Sequence, residues 1–236
     1  MQDAVRLILQ QRLEAVCQRI EAAARRSGRS AAEVTLVAVT KAVPVPVAAV
    51  LPELGVNDLA ENRPQQLWHK AAAIPQARWH LIGHLQRNKI DRTVPLTTLI
   101  HSVDSWRLLQ ALEQFGQQQS RSVPILLQFN CSREASKQGF DPQQAESLAT
   151  QLPHFPHLHV QGLMTMAALT PDPQQTRPVF AQLRQLRDYL QQQLGYPLPH
   201  LSMGMSQDFE VAIEEGATLV RLGTILLGGL ELTSSR

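Results

Sequence analysis

A lysine closes one apolar run of this sequence, and an arginine interrupts another near its far end. The first run is VTLVAVTK, residues 34–41, with Lys41 as its one charge and Pro44 and Pro46 just behind. A lysine so placed has two readings. Its stem can pack while the ammonium stays in water. Alternatively, apolar neighbours strip hydration from the charged form and lower its pKa from ~10.4, so that the neutral amine attacks an aldehyde and forms a Schiff base. The second run is LVRLGTILLGG. Arg221 within it must be paired or bonded, because burying its charge alone is costly. It serves either a structural carboxylate or a ring nitrogen; a guanidinium only donates, so a pyridine facing it stays unprotonated. Gly223 lets backbone approach a ligand, Thr224 suits the cap of a short helix over 225–228, and free N–H groups there suit a phosphate. Ser202, in LSMGMS, opens a second small-residue loop.

These residues need a scaffold that brings distant segments together. Strand-like runs at 34–41, 58–62, 78–83, 98–104, 122–130, 159–166, 200–205 and 218–224 alternate with helical patterns near 46–54, 63–73, 86–92, 105–119, 142–152, 174–194 and 207–215, with a short helix after 224. Continuous apolar strands, each followed by a helix, point to a closed parallel (β/α)8 TIM barrel. An open doubly wound sheet is the runner-up, and it lacks a glycine-rich turn after the first strand. No linker divides the chain, so residues 1–236 read as a single domain. Residues 1–28 form an extra N-terminal helix with Val5, Leu9, Leu13, Val16 and Ile20 on one side, capping the barrel or lying beside its outer helices. Barrel chemistry collects at the C-terminal strand ends. That register selects Lys41, Glu61 with Asn62, His80, Asp104, Asn130, Met164, Ser202 and Arg221.

The 236 residues are 44% hydrophobic and 18% charged, with a net charge of +2 and no basic run, so nucleic acid is not implied. Two cysteines suggest a reducing compartment, and neither a leader nor a membrane span is expected, so the protein reads as cytoplasmic.

The motifs AVTK, AENRPQQLWHKA, WHLIGHLQRNK, HSVDS, QFNCSREASKQGF, GLMTM, LSMGMSQDFEVAI and VRLGTILLG, over residues 34–229, resemble the pyridoxal phosphate homeostasis proteins, single-barrel relatives of the alanine racemase N-terminal domain. The resemblance implies that Lys41 carries pyridoxal 5'-phosphate (PLP) as a covalent aldimine and that Arg221 bonds the pyridine nitrogen. It implies phosphate contacts from Ser202, Gly223 and Thr224 with Met203 beside them, and a ring lined by Asn62 and His80. Ala60 and His84 depart from the usual Gly and Pro, which bears on the loops after the second and third strands.

The same resemblance implies a non-enzymatic PLP carrier acting in PLP and amino-acid homeostasis, passing the cofactor to apo PLP-enzymes or amino acids. Racemisation needs an acid/base group on each face of the adduct. Lys41 serves one face; Tyr189 and Tyr196 are poorly placed for the other, and no second domain is expected after the barrel. A weak amino-acid racemase, with a water or His80 opposite Lys41, is the alternative. A phosphate-sugar enzyme is a third reading. We expect a monomer. The HFPHLH stretch (154–159) reads as a surface loop rather than a metal site, Cys131 as incidental, and Glu134 with Lys137 as a solvated pair.

Overall fold

A computed structural model describes residues 2–132, 134 and 138–230. Lys137 lies outside the described residues. Eight parallel strands follow one another in chain order: β1 (Thr35–Val39), β2 (Asp58–Glu61), β3 (Arg78–Leu81), β4 (Leu99–Val103), β5 (Val123–Gln128), β6 (Leu158–Met164), β7 (His200–Ser202) and β8 (Leu219–Leu222). β8 pairs with β1, and the barrel is closed. Every strand starts within one residue of its expected run, and all eight stop earlier. β1 ends at Val39; Thr40 still donates its N–H to Ala60 O at 3.0 Å, and Lys41 lies in the turn beyond.

The continuous apolar strands are explained by two cores, one on each face. Val37, Val39, Ala60, Leu99, Leu126, Met164 and Leu219 fill the lumen. Their neighbours along the strands, such as Ala38, Leu59, Leu81, Ile125, Leu201 and Val220, pack outward against the helices. Polar residues inside a strand therefore sit in the lumen or in the seam behind it.

The outer helices are α1 (Gln2–Arg26), α2 (Val45–Ala48), α3 (Val50–Glu53), α4 (Pro64–Ala73), α5 (Ile90–Thr93), α6 (Trp106–Gln118), α7 (Ala145–Gln151), α8 (Arg177–Leu194), α9 (Phe209–Glu214) and α10 (Thr224–Leu227). The single helix expected over 46–54 is two. Pro52 has no N–H to give the carbonyl four residues back and its ring crowds that position, so the helix breaks at Ala49. α1 lies beside the outer helices: Arg12 donates to the carbonyls of Leu226 and Gly228 at the end of α10, and Arg19 and Arg26 pair with Glu210 and Glu214 on α9. Among the described residues, no helix is long and apolar enough to cross a membrane.

Candidate functional site

The β1–β8 seam brings the two chemical runs together. Ala38 pairs with Leu222, so the next residues up, Val39 and Gly223, are neighbours. A Cβ on Gly223 would sit 3.4 Å from both Val39 Cβ and Val39 O, so a side chain there would crowd the end of β1. Lys41, two residues past Val39, lies in the turn that follows β1, at the same end of the barrel as the Gly223–Thr224 turn that follows β8. Lys41 and Thr224 are both exposed. Of the two readings of Lys41, the exposed position in the rim turn agrees with the one that leaves its ammonium in water.

The loop after β7 completes this side of the rim. Gly204 has φ +89, a left-handed conformation that favours glycine, and Asp208 Oδ1 accepts from Met205 N–H at 2.6 Å to close the turn. The turn delivers Ser206 to the start of α10, where its hydroxyl accepts from Ile225 N–H at 3.3 Å. Across the rim, Asn62 is half-buried at the end of β2. A Cβ on Gly83 would fall 2.1 Å from Asn62 O, so the loop after β3 sits tight against it. His84 faces Asp104 at 3.4 Å, linking the loops after β3 and β4.

Below the rim, the lumen holds a line of polar groups. Arg221 is 3% exposed and donates from one terminal nitrogen to Ser202 Oγ at 2.6 Å and from the other to Thr165 O at 2.9 Å. Ser202 Oγ lies 2.8 Å from His101 Nδ1, and His101 Nε2 lies 2.9 Å from His80 Nδ1. His80 Nε2 reaches Asp58 Oδ1 at 3.0 Å, and Arg78 pairs with the same carboxylate. Burial pushes the Arg221 guanidinium down to about 10 against the opposing pull of Asp208, so it is a cation at neutral pH. Burial first, then the neighbouring His80, Arg221 and His200, hold the His101 imidazole well below its ordinary value and keep it neutral. Burial raises the Asp58 carboxyl, but hydrogen bonds from His80 and Arg78 outweigh it and set it at about 2.

Behind the rim is a buried ion pair. Glu61 is fully buried and Lys70, from α4, is 3% exposed. The Lys70 ammonium donates to Glu61 Oε1 and to Thr40 O, and the Thr40 hydroxyl donates to the same carboxylate oxygen at 2.7 Å. Thr40 and Glu61 immediately precede Lys41 and Asn62, so this clamp fixes the backbone carrying both.

Several expected site residues stand elsewhere. Ser202 does not reach the rim: its hydroxyl is buried and engaged by Arg221 and His101. Met203 is fully buried in the outer core with its N–H bonded to Leu219 O, so its side chain faces the helices. His80 is in the lumen with both ring nitrogens occupied. Arg221, Gly223, Thr224, Lys41 and Asn62 line the mouth or stand directly beneath it. Sequence reasoning missed Ser206, His101, Asp58 and the Glu61–Lys70 pair as a set. His101 interrupts the apolar TLIHSVD run, and that was its available signal.

The remaining readings resolve simply. Cys131 is buried, and its thiol is raised to about 11 by burial, partly offset by Thr165. His157 bonds Glu113 of α6 at 2.6 Å, and His159 faces solvent from β6 beside Gln161.

The alanine racemase N-terminal domain family model matches residues 12–231. A pyridoxal phosphate homeostasis protein of Aquifex aeolicus is 39% identical over 220 residues, covering 92% of this chain and 96% of its own. The chain belongs to the pyridoxal phosphate homeostasis protein family. Two solved structures of similar proteins share the barrel. A protein from Bifidobacterium adolescentis described as unknown is 34% identical with a TM-score of 0.89, covering 95% of this chain and 96% of that one. PipY of Synechococcus elongatus, solved with PLP bound, is 34% identical with a TM-score of 0.80, covering 93% of this chain and all of PipY.

Proposed function

We propose that this chain holds pyridoxal 5'-phosphate reversibly as a Schiff base on Lys41 and serves PLP and amino-acid homeostasis without catalytic turnover. One observation carries the reading: an exposed amine and a Ser206–Gly223–Thr224 turn stand on adjoining strands above a buried, donor-only guanidinium. That donor set fits a phosphorylated aromatic aldehyde, and PipY binds PLP on the same fold. The bound group would supply an electrophilic aldehyde and, with amino acids, an electron sink. Lys41 Nζ supplies the attachment. Ser206 and Thr224 hydroxyls, with the backbone at Gly223, take the phosphate, a role that passes from the buried Ser202 hydroxyl to Ser206. Arg221 supplies a proton to the ring nitrogen without surrendering it, which leaves that nitrogen neutral and the sink weak. Asn62 borders the ring.

Turnover as a racemase needs a second acid/base group at the rim. His80 cannot serve, because Asp58 and His101 occupy both of its ring nitrogens. Tyr189 lies on α8, and Tyr196 precedes β7 at the opposite end of the barrel. On this proposal the protein is a cytoplasmic, monomeric carrier that yields the cofactor to apo-enzymes or amino acids. Purified protein incubated with PLP gains a visible band that borohydride fixes on Lys41. Lys41→Ala abolishes the fixed adduct; an adduct persisting on another lysine would overturn the assignment. Arg221→Glu shifts the band by protonating the ring nitrogen, and an unmoved band removes Arg221 as its partner. Sustained, Lys41-dependent α-proton exchange from an amino acid would favour an enzyme instead.

A further inference from the structure

The lumen line has a direction that charge and hydrogen-bond chemistry fix. Arg221 only donates, so Ser202 Oγ accepts from it. The buried Ser202 hydroxyl then needs an acceptor of its own, and its other partner is His101 Nδ1. With Nδ1 accepting, neutral His101 carries its proton on Nε2 and gives it toward His80 Nδ1. His80 in turn holds its proton on Nε2 and donates to the Asp58 carboxylate, which only accepts. Reversing any link leaves a donor facing a donor, or the serine hydroxyl unpaired in a dry lumen. His101 on β4 and Ser202 on β7 are not on adjacent strands, so their bond crosses the lumen. The whole line joins a surface-facing Asp58–Arg78 pair at the strand starts of β2 and β3 to a guanidinium beneath the rim.

Both hydrogen-bond partners of Arg221 are uncharged oxygens. A flexible cation held in that way is oriented best while Ser202 turns a lone pair toward it and its proton away, and His101 Nδ1 is the acceptor that draws that proton away. We infer that Asp58, His80 and His101 are positioning residues for Arg221: a one-way chain of hydrogen bonds anchored on Asp58 aims the guanidinium at the ring nitrogen of the cofactor. This deepens the proposed function and rests on it. The groups facing the chain are Arg78 on Asp58, His200 from β7 beside His80 and His101, and Asp208 near Arg221.

The test has two arms. In cofactor-free protein labelled with 15N-histidine, with assignments from His80→Gln and His101→Gln, both rings report the Nε2–H form at neutral pH. A proton on Nδ1 of His101 overturns the chain. In the second arm, PLP is titrated into wild type, Asp58→Leu and Asp58→Asn. Leucine removes the anchor, whereas asparagine keeps an acceptor oxygen for His80. We expect Asp58→Leu to shift the visible band and weaken retention about tenfold, the scale of one lost buried hydrogen bond, and Asp58→Asn to restore both to within about twofold. An Asp58→Leu protein with wild-type band and retention overturns the positioning role, as does an Asp58→Asn protein as impaired as the leucine variant. Should Asp58→Leu fail to fold, His101→Leu carries the same expectation. A wild type that takes up no PLP defeats the cofactor reading instead, and the labelling arm still decides the chain.

Discussion

Strand β2 carries two buried carboxylates facing opposite ways, and they are neutralised differently. Glu61 points outward into the dry seam behind the barrel and meets an ammonium directly. Asp58 points inward, balances Arg78 at the barrel's end, and reaches the buried cation Arg221 only through two imidazoles and a hydroxyl. Among the described residues, Glu61 Oε2 is the one fully buried side-chain nitrogen or oxygen without a hydrogen-bond partner, whereas both ring nitrogens of His80 and His101 and the Ser202 hydroxyl in the lumen line are engaged. The seam thus pairs its charges directly, with Thr40 bonded to both partners; the lumen distributes its charge over neutral groups whose order is fixed. The first device holds backbone in place, and the second aims a side chain.

Breaking the seam has the largest expected effect. Lys70→Met leaves Glu61 charged and unpaired in the interior and should cost about 3–5 kcal/mol in urea unfolding, while Glu61→Leu combined with Lys70→Met is close to neutral. A loss under about 1 kcal/mol for the single change would show that Glu61 is not dependent on Lys70. Asp58 gives the next effect. Its folded pKa of about 2 lies below the ordinary value, so its stabilisation is full above about pH 4 and lost as pH falls toward 2. Asp58→Asn should therefore cost on the order of 2 kcal/mol at pH 7, with wild type and variant converging near pH 2. Parallel curves across that range would remove the carboxylate from the account.

His101 works over a different window. Its imidazole titrates lower in the folded than in the unfolded chain, so the unfolded state binds the extra proton and stability falls as pH drops below about 6.5. His101→Gln should flatten that limb, measured by thermal unfolding between pH 5 and 7. The smallest effect belongs to the exposed Arg25–Glu21 pair on α1, where Arg25→Ala should change stability by less than about 0.5 kcal/mol. A larger value there would blur the contrast between buried and surface charge.

The strands were legible because a parallel barrel covered on both faces writes uninterrupted apolar runs. The same property hid the orientation of its polar residues: in a run without alternation, nothing marks whether His80 or Ser202 faces lumen or rim. The LSMGMS loop shows the difficulty, since Ser202 and Ser206 are chemically equal in the sequence. The positive φ at Gly204 and the end of β7 put one serine in the lumen and the other at the mouth. Lys41 was singled out by type and place, and β1 stopping two residues early settles only which of its two sequence readings, solvated or desolvated, describes its exposure. His101 and Asp58 gain meaning only when β2, β3, β4 and β7 enclose a common space.

The pairing of β8 with β1 places the first rim group beside the last, with nearly the whole chain threaded between them. Neither half of the molecule owns the mouth. Any ligand gripped by both Lys41 and Thr224 can be held only after β8 has docked on β1, so its retention would report that the first and last strands have met.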